Sequence, residues 1–204
     1  MLDFFLACTH LDPLAMIRAG GYLGIALIVF AESGLLVGIF LPGDSLLFTA
    51  GLLSGAGYLA LGPLVATVVV AAVLGDSVGY WFGANVGVHF FKRKNSLFFK
   101  QEYVQRTKDF YKQYGGRAVV LARFVPIVRT LAPILAGIGG MRYRSFLASN
   151  ILGGCLWGAG LILLSFFIGS AIPDSERYVL PISLGIIVLS FLPVLFSLAR
   201  GDKK

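Results

Sequence analysis

Apolar stretches of about 20 residues recur along the chain from residue 21 to residue 199. That is the length a helix needs to cross a hydrocarbon layer ~30 Å thick. Residues 63–87, 146–172 and 179–199 read as spanning helices. Residues 54–62 form an uncharged, glycine-rich loop. Residues 1–19 mix Phe4, Phe5, Leu6, Leu11, Leu14, Met16 and Ile17 with Asp3, Asp12, Pro13 and Arg18. That segment is too short and too polar to span, and it predicts a short interfacial helix. The residues before Asp3 carry no basic charge, so no cleavable signal is expected.

Two apolar segments break the pattern. In residues 21–53, Glu32 interrupts the run Tyr22–Phe40, and Leu41-Pro42-Gly43-Asp44 then breaks the backbone before the short run Ser45–Leu53. In residues 117–140, the apolar run carries Arg117, Arg123 and Arg129 together with Pro126 and Pro133. A charge at bilayer depth costs roughly 2.5–3.5 kcal/mol on insertion scales. Irregular backbone at that depth is tolerated only inside protein or beside a wet cavity. Both segments are therefore expected to be re-entrant hairpins, with breaks at Pro42–Gly43 in the first and at Pro126 and Pro133 in the second.

Between them, residues 88–116 are the polar centre of the chain, with Lys92, Arg93, Lys94, Lys100, Arg106, Lys108 and Lys112 against Glu102 and Asp109. At helical spacing Phe99, Tyr103, Phe110 and Tyr114 share a narrow arc, while Lys108 and Lys112 point away. This predicts an amphipathic linker on the cytoplasmic membrane surface, with Ser96 as N-cap and Gly115–Gly116 as its stop.

Charge bias then sets the topology. With residues 88–116 in the cytoplasm, a full crossing by 117–140 would put Arg142 and Arg144 outside, the acidic loop 173–178 inside and the basic tail 200–204 outside. A re-entrant 117–140 reverses all three and obeys the positive-inside rule throughout. By parity, 63–87 crosses from outside and 21–53 enters and leaves on the outer side; two full spans there would keep the same parity. The expected fold is an all-α polytopic membrane protein, an inverted repeat with two opposed re-entrant hairpins plus spanning helices, in one membrane domain. Interrupted hydrophobic segments at corresponding positions of two halves are the pointer to such a repeat and to its binding site.

Composition narrows the function. Of 204 residues, 57% are hydrophobic and 13% charged, against about 25% charged in soluble domains. The 26 glycines suit close helix packing and broken helices. The net charge of +7 follows from basic residues flanking apolar spans, which argues against nucleic-acid binding. Cys8 and Cys155, like His10 and His89, are isolated, so no metal site, disulfide or cofactor is expected. The chain shows no Ser/His/Asp set and no zinc spacing, and an enzyme is not expected.

Four charges remain for chemistry. Arginine is permanently charged and its planar fork suits phosphate or carboxylate. Burial favours the neutral form of a carboxyl group, and a nearby arginine favours its anion. Glu32 and Asp44 balanced between those pulls could carry protons, as in a proton-coupled carrier. The structural reading is that acids and arginines simply pair and hold the hairpins together. Asp76, mid-span on a face with Gly75, Gly79 and Gly83, is either packing polarity or an additional member of the site.

The motifs Glu32-Ser-Gly-Leu-Leu, Phe40-Leu-Pro-Gly-Asp44-Ser, Arg123-Phe-Val-Pro-Ile-Val-Arg129 and Ala136-Gly137 resemble the DedA family, bacterial relatives of VTT-domain lipid scramblases, over residues 14–172. The resemblance implies a multi-pass bacterial plasma-membrane protein linked to recycling of the undecaprenyl-phosphate carrier, to the proton motive force and to resistance to cationic antimicrobials. It implies Glu32 and Asp44 as the proton-coupling pair and Arg123 and Arg129 as phosphate contacts. The expected partners are a phospholipid or polyprenyl phosphate, the bilayer and protons; homo-oligomerisation stays open. The alternative is a proton-coupled antiporter of small cations or drugs, and a third class is a non-transporting scaffold.

The topology has a direct check. In a background without native cysteines, Ser175→Cys should react with an impermeant maleimide in intact cells, and Lys204→Cys only after lysis. Labelling of Lys204→Cys in intact cells would contradict a cytoplasmic C-terminus.

Overall fold

The computed structural model describes residues 13–35, 43–87 and 101–171, and among them there is helix and turn but no strand. The expected span 179–199, the cap Ser96 and the break residue Pro42 lie outside the described residues.

Helix α1 runs Pro13–Gly34 and α2 runs Gly43–Gly55. Helix α3 is Leu61–Phe82, continued by a π-helical turn at Gly83–Gly87. The polar centre contributes α4, Gln101–Tyr114. Helices α5, Gly116–Ala122, and α6, Pro126–Ile138, follow. Helix α7, Tyr143–Gly154, passes through a second π-helical turn, Cys155–Ala159, into α8, Gly160–Ala171. Two helical stretches, Leu61–Val86 and Tyr143–Ala171, are long and apolar enough to cross a membrane.

Within α1 two helical stretches meet at a kink at Gly21, which falls at the junction between the expected interfacial helix over 1–19 and the segment expected from 21; residues 1–12 lie outside the described residues. Gly21, at φ 52° and ψ −145°, is non-helical at that kink, a conformation that a residue with a Cβ rarely adopts. The same helix stops at Gly34, short of Phe40.

Helix ends are set by glycine. The chain leaves α2 through Gly57 at φ 88°. There the Tyr58 amide donates to the Leu53 carbonyl at 2.9 Å and the Gly57 amide to the Ser54 carbonyl at 3.1 Å. That 6→1 plus 5→2 pattern is a Schellman cap. Helix α6 ends the same way. Gly140 has φ 69°, Met141 donates to Ala136 and Gly140 to Gly137, both at 3.1 Å.

The break between α5 and α6 is dictated by proline. Val125 precedes Pro126 and is extended, at φ −115° and ψ 110°, because the proline ring excludes the helical region for its predecessor. Pro126 then occupies the first turn of α6, where its missing N–H is harmless. Pro133 does not break the chain as expected. It is buried inside the continuous α6, where it removes one helical hydrogen bond. Gly79 of α3 faces it, and a methyl group there would make an ordinary contact, 3.4 Å from Pro133 Cβ.

The chain divides into two compact units. The first contains residues 13–25, 43–64 and 161–171 of the described chain. In it α2 packs against α8 by close backbone approach: a side chain on Gly55 would meet the backbone of Phe166, Gly169 and Ser170, and one on Gly169 would meet Leu52. The Ala60 amide donates to the Tyr22 hydroxyl at 2.8 Å.

The second unit comprises residues 26–35, 65–87 and 101–160 of the described chain. Here α6 lies directly on the end of α3: a Cβ on Gly83 would strike the Ile134 backbone, and one on Gly137 would strike the Tyr80 carbonyl and the Ala84 amide. Helix α5 packs on α7. Tyr111, Val119, Ala136 and Phe146 form a buried cluster that joins α4, α5, α6 and α7. Tyr80 stacks on Phe146 with ring centroids 4.6 Å apart and donates its hydroxyl to the Met141 carbonyl. The Tyr111 hydroxyl donates to the Ala132 carbonyl at 2.9 Å. Burial pushes the Tyr111 phenol up to about 12, so it remains a donor at physiological pH.

Gly137→Leu should abolish the α3–α6 contact, because the obstructing atoms are backbone. The expected outcome is loss of monodisperse protein in size-exclusion chromatography. Gly160→Ala, at an open helical position, should be neutral or stabilising by about 0.5–1 kcal/mol.

Candidate functional site

The second unit buries two acid–arginine pairs. Glu32 comes from α1 and Asp76 from the middle of α3. Arg123 sits where α5 ends, and Arg129 lies in the first turn of α6. Arg123 Nη2 donates to Asp76 Oδ2 and to Asn150 Oδ1. Arg129 Nη2 donates to Glu32 Oε1. Glu32, Asp76 and Arg123 are at most 5% exposed, and Arg129 retains 12% exposure of its side chain.

Close glycine contacts make this arrangement possible. A Cβ on Gly34 would lie 2.6 Å from the Gly75 carbonyl oxygen, and a Cβ on Gly75 would lie 2.6 Å from that of Phe30. Bare backbone on both sides brings α1 against α3 at the level of Glu32 and Asp76. On α7, Gly153 and Gly154 clear a channel for Arg123: a Cβ on Gly153 would sit 2.9 Å from Arg123 Cδ. Asn150, fully buried, is oriented by its own amide, which donates to the Val73 carbonyl at 3.1 Å. The Ser77 hydroxyl donates to that carbonyl at 2.7 Å.

One aromatic ring joins the two pairs. Trp157 sits in the π-helical turn after α7 and is buried. The Arg129 guanidinium carbon lies 4.9 Å from its ring centroid and that of Arg123 5.8 Å, both within cation–π range. A π-helical turn adds a residue to the helical register and re-aims the side chains that follow, a device common at functional sites. Two like charges over one ring repel each other, so the carboxylates are what make their proximity tolerable. Arg123 Nε has no hydrogen-bond partner among the described residues. A buried donor of that kind is costly unless something else engages it.

The expected residues thus separate. Glu32, Arg123 and Arg129 come together, and Asp76 joins them as the partner of Arg123. Asp44 lies in the first turn of α2, in the first unit, where an acid complements the helix dipole. Gly43 opens α2 and Pro126 opens α6. Asn150 and Trp157 were not anticipated. An asparagine inside an otherwise apolar span was a legible signal, because an amide at that depth needs partners. Trp157 carried none, since its place depends on the π-helical turn.

This is an all-helical protein with a buried, charge-balanced arginine site. The VTT domain profile matches residues 41–170. The chain is 42% identical to the protein DedA of Escherichia coli, with 100% of this chain and 94% of that protein covered. It is 44% identical to an uncharacterised membrane protein of Mycobacterium tuberculosis, over 93% of this chain and 86% of the relative. A membrane protein of Mycobacterium leprae is 41% identical over 94% of this chain and 88% of its own length. No solved structure matches. The chain belongs to the DedA family of VTT-domain membrane proteins, and it is itself a membrane protein.

Removing one member of a buried ion pair strands the other and typically costs about 3–5 kcal/mol. Asp76→Ala and Arg123→Ala should each destabilise the purified protein by that order. The double variant should lose less than the sum, with a coupling of about 1–3 kcal/mol in a denaturation cycle. Additive losses would mean that the two side chains do not act as a pair.

Proposed function

We propose that this chain is a proton-linked translocase of an anionic lipid carrier, undecaprenyl phosphate, working in the bacterial plasma membrane as a multi-pass protein rather than an enzyme. The observation that carries the reading is the pair of guanidinium groups over Trp157, each held by a carboxylate from a different helix. Two arginines supply the charge and the donor geometry for a phosphate headgroup. Glu32 and Asp76 occupy those donors when no anion is bound. Protonation of a carboxyl group frees its arginine for phosphate, and loss of the proton lets the carboxylate reclaim the arginine and release the headgroup. That competition links proton movement to lipid movement. Asp44, which stands in the family motif, is a further proton-carrying candidate. The names of the relatives specify neither the cargo nor its direction, so the cargo rests on the chemistry of the site and on the family resemblance.

The experiment is leaflet exchange of a labelled polyprenyl phosphate in vesicles containing the purified protein. Wild type should exchange the lipid, faster when a pH gradient is imposed. Arg129→Gln and Glu32→Gln should each reduce the rate by tenfold or more. Absence of exchange by well-folded wild type would overturn the reading. Cation flux driven by a pH gradient without lipid exchange would favour the antiporter alternative.

A further inference from the structure

A second lipid-related feature lies away from the paired arginines. Helices α4, α5 and α6 enclose an open groove of about 710 Å³. Phe110, Tyr111 and Tyr114 of α4 form one wall, and Leu121, Val128 and Leu135 lie on the opposite walls. Arg106 of α4 and Arg117 of α5 also line it, and among the described residues no acidic one does. Neither Arg123 nor Arg129 contributes to the lining. The groove is held open by a fixed strut, the hydrogen bond from Tyr111 to the Ala132 carbonyl at 2.9 Å. Its apolar surface is uncovered among the described residues: Phe110, Tyr114, Leu121, Val128 and Leu135 are between 37% and 67% exposed.

The composition selects an occupant. A purely apolar groove in a membrane needs only ordinary hydrocarbon chains. Here two guanidinium-bearing residues share the lining, and arginine forks match phosphate oxygens. Basic residues at the membrane surface attract anionic lipids by about 1 kcal/mol each, and basic pockets beside membrane helices take anionic headgroups. We infer that this groove is a binding site for one anionic phospholipid of the bilayer, its acyl chain along the aromatic wall and its phosphate between Arg106 and Arg117. The site is separate from the buried arginines and does not require the chain to transport lipid. Occupation would fasten the amphipathic helix α4 to the α5–α6 pair.

The test uses the full chain in nanodiscs containing phosphatidylglycerol with a diazirine on its acyl chain, or the matching phosphatidylcholine. Photolabelled peptides are mapped by mass spectrometry. The expected result is concentrated labelling of the peptides spanning 107–114 and 121–135 by the phosphatidylglycerol probe. Unlabelled phosphatidylglycerol should compete at least fivefold better than phosphatidylcholine. Arg106→Gln with Arg117→Gln should weaken that labelling by tenfold or more, given roughly fivefold per arginine. Lys108→Gln with Lys112→Gln, which removes equal charge from α4 outside this groove, should change it by less than twofold. Equal competition by the two lipids, measured on wild type and therefore independent of any variant's folding, would overturn the inference. So would equal effects of the arginine and lysine pairs. Specific labelling by a protein that fails to exchange polyprenyl phosphate would uphold this site while refuting the translocase.

Discussion

The buried guanidinium of Arg123 is the constraint around which the second unit is arranged. An ion at 5% exposure cannot remain charged there without compensation, because desolvation costs several kcal/mol even after relaxation. Compensation comes from Asp76 on α3 and Asn150 on α7. Three helical segments must therefore meet at one point. A second arginine raises the demand, since Arg129 approaches the same indole ring and would repel Arg123 without Glu32. The result is a locally neutral cluster whose members cannot be removed singly without leaving a charge behind.

Side-chain-free backbone is what lets such a cluster close. Gly34 meets Gly75, Gly83 meets Ile134, Gly137 meets Tyr80, and Gly153 yields to Arg123. In an apolar environment the hydrophobic effect does not drive helices together, so close van der Waals packing has to do so. Three of these glycines also sit within three residues of a buried polar group. Gly34 follows Glu32, Gly75 precedes Asp76, and Gly153 follows Asn150. The small residues thus position the polar ones. The two π-helical turns extend this logic. One receives α6 at Gly83, and the other presents Trp157 to both arginines.

The proposed function asks more of this cluster than a structural ion pair would supply. In the proposed cycle each guanidinium would hold either its carboxylate or an incoming oxyanion, with protonation of the carboxyl group deciding which. Arg123, where α5 ends, and Arg129, in the first turn of α6, flank the break at Val125–Pro126, whereas Asp76 lies within the uninterrupted α3. Junctions are where backbone and side chains can rearrange at low cost.

Much was legible in the chain itself. Charge in apolar runs marked Glu32, Arg123 and Arg129, because burial of an ion demands a reason wherever it occurs. The Val125–Pro126 break and the glycine ends of α2, α4 and α6 followed from local backbone sterics, which depend only on neighbouring residues. Pro133 misled, since an interior proline removes one helical hydrogen bond but need not end the helix when packing on both sides holds it. The tertiary structure alone decided that Asp76, not merely packing polarity, holds Arg123, and that Asn150 and Trp157 complete the cluster. With the Glu32–Arg129 pair, the contacts of this cluster join residues up to 97 positions apart, and no local rule reaches across such a separation: the partner of a buried charge is chosen by which helices can approach, and that is a property of packing.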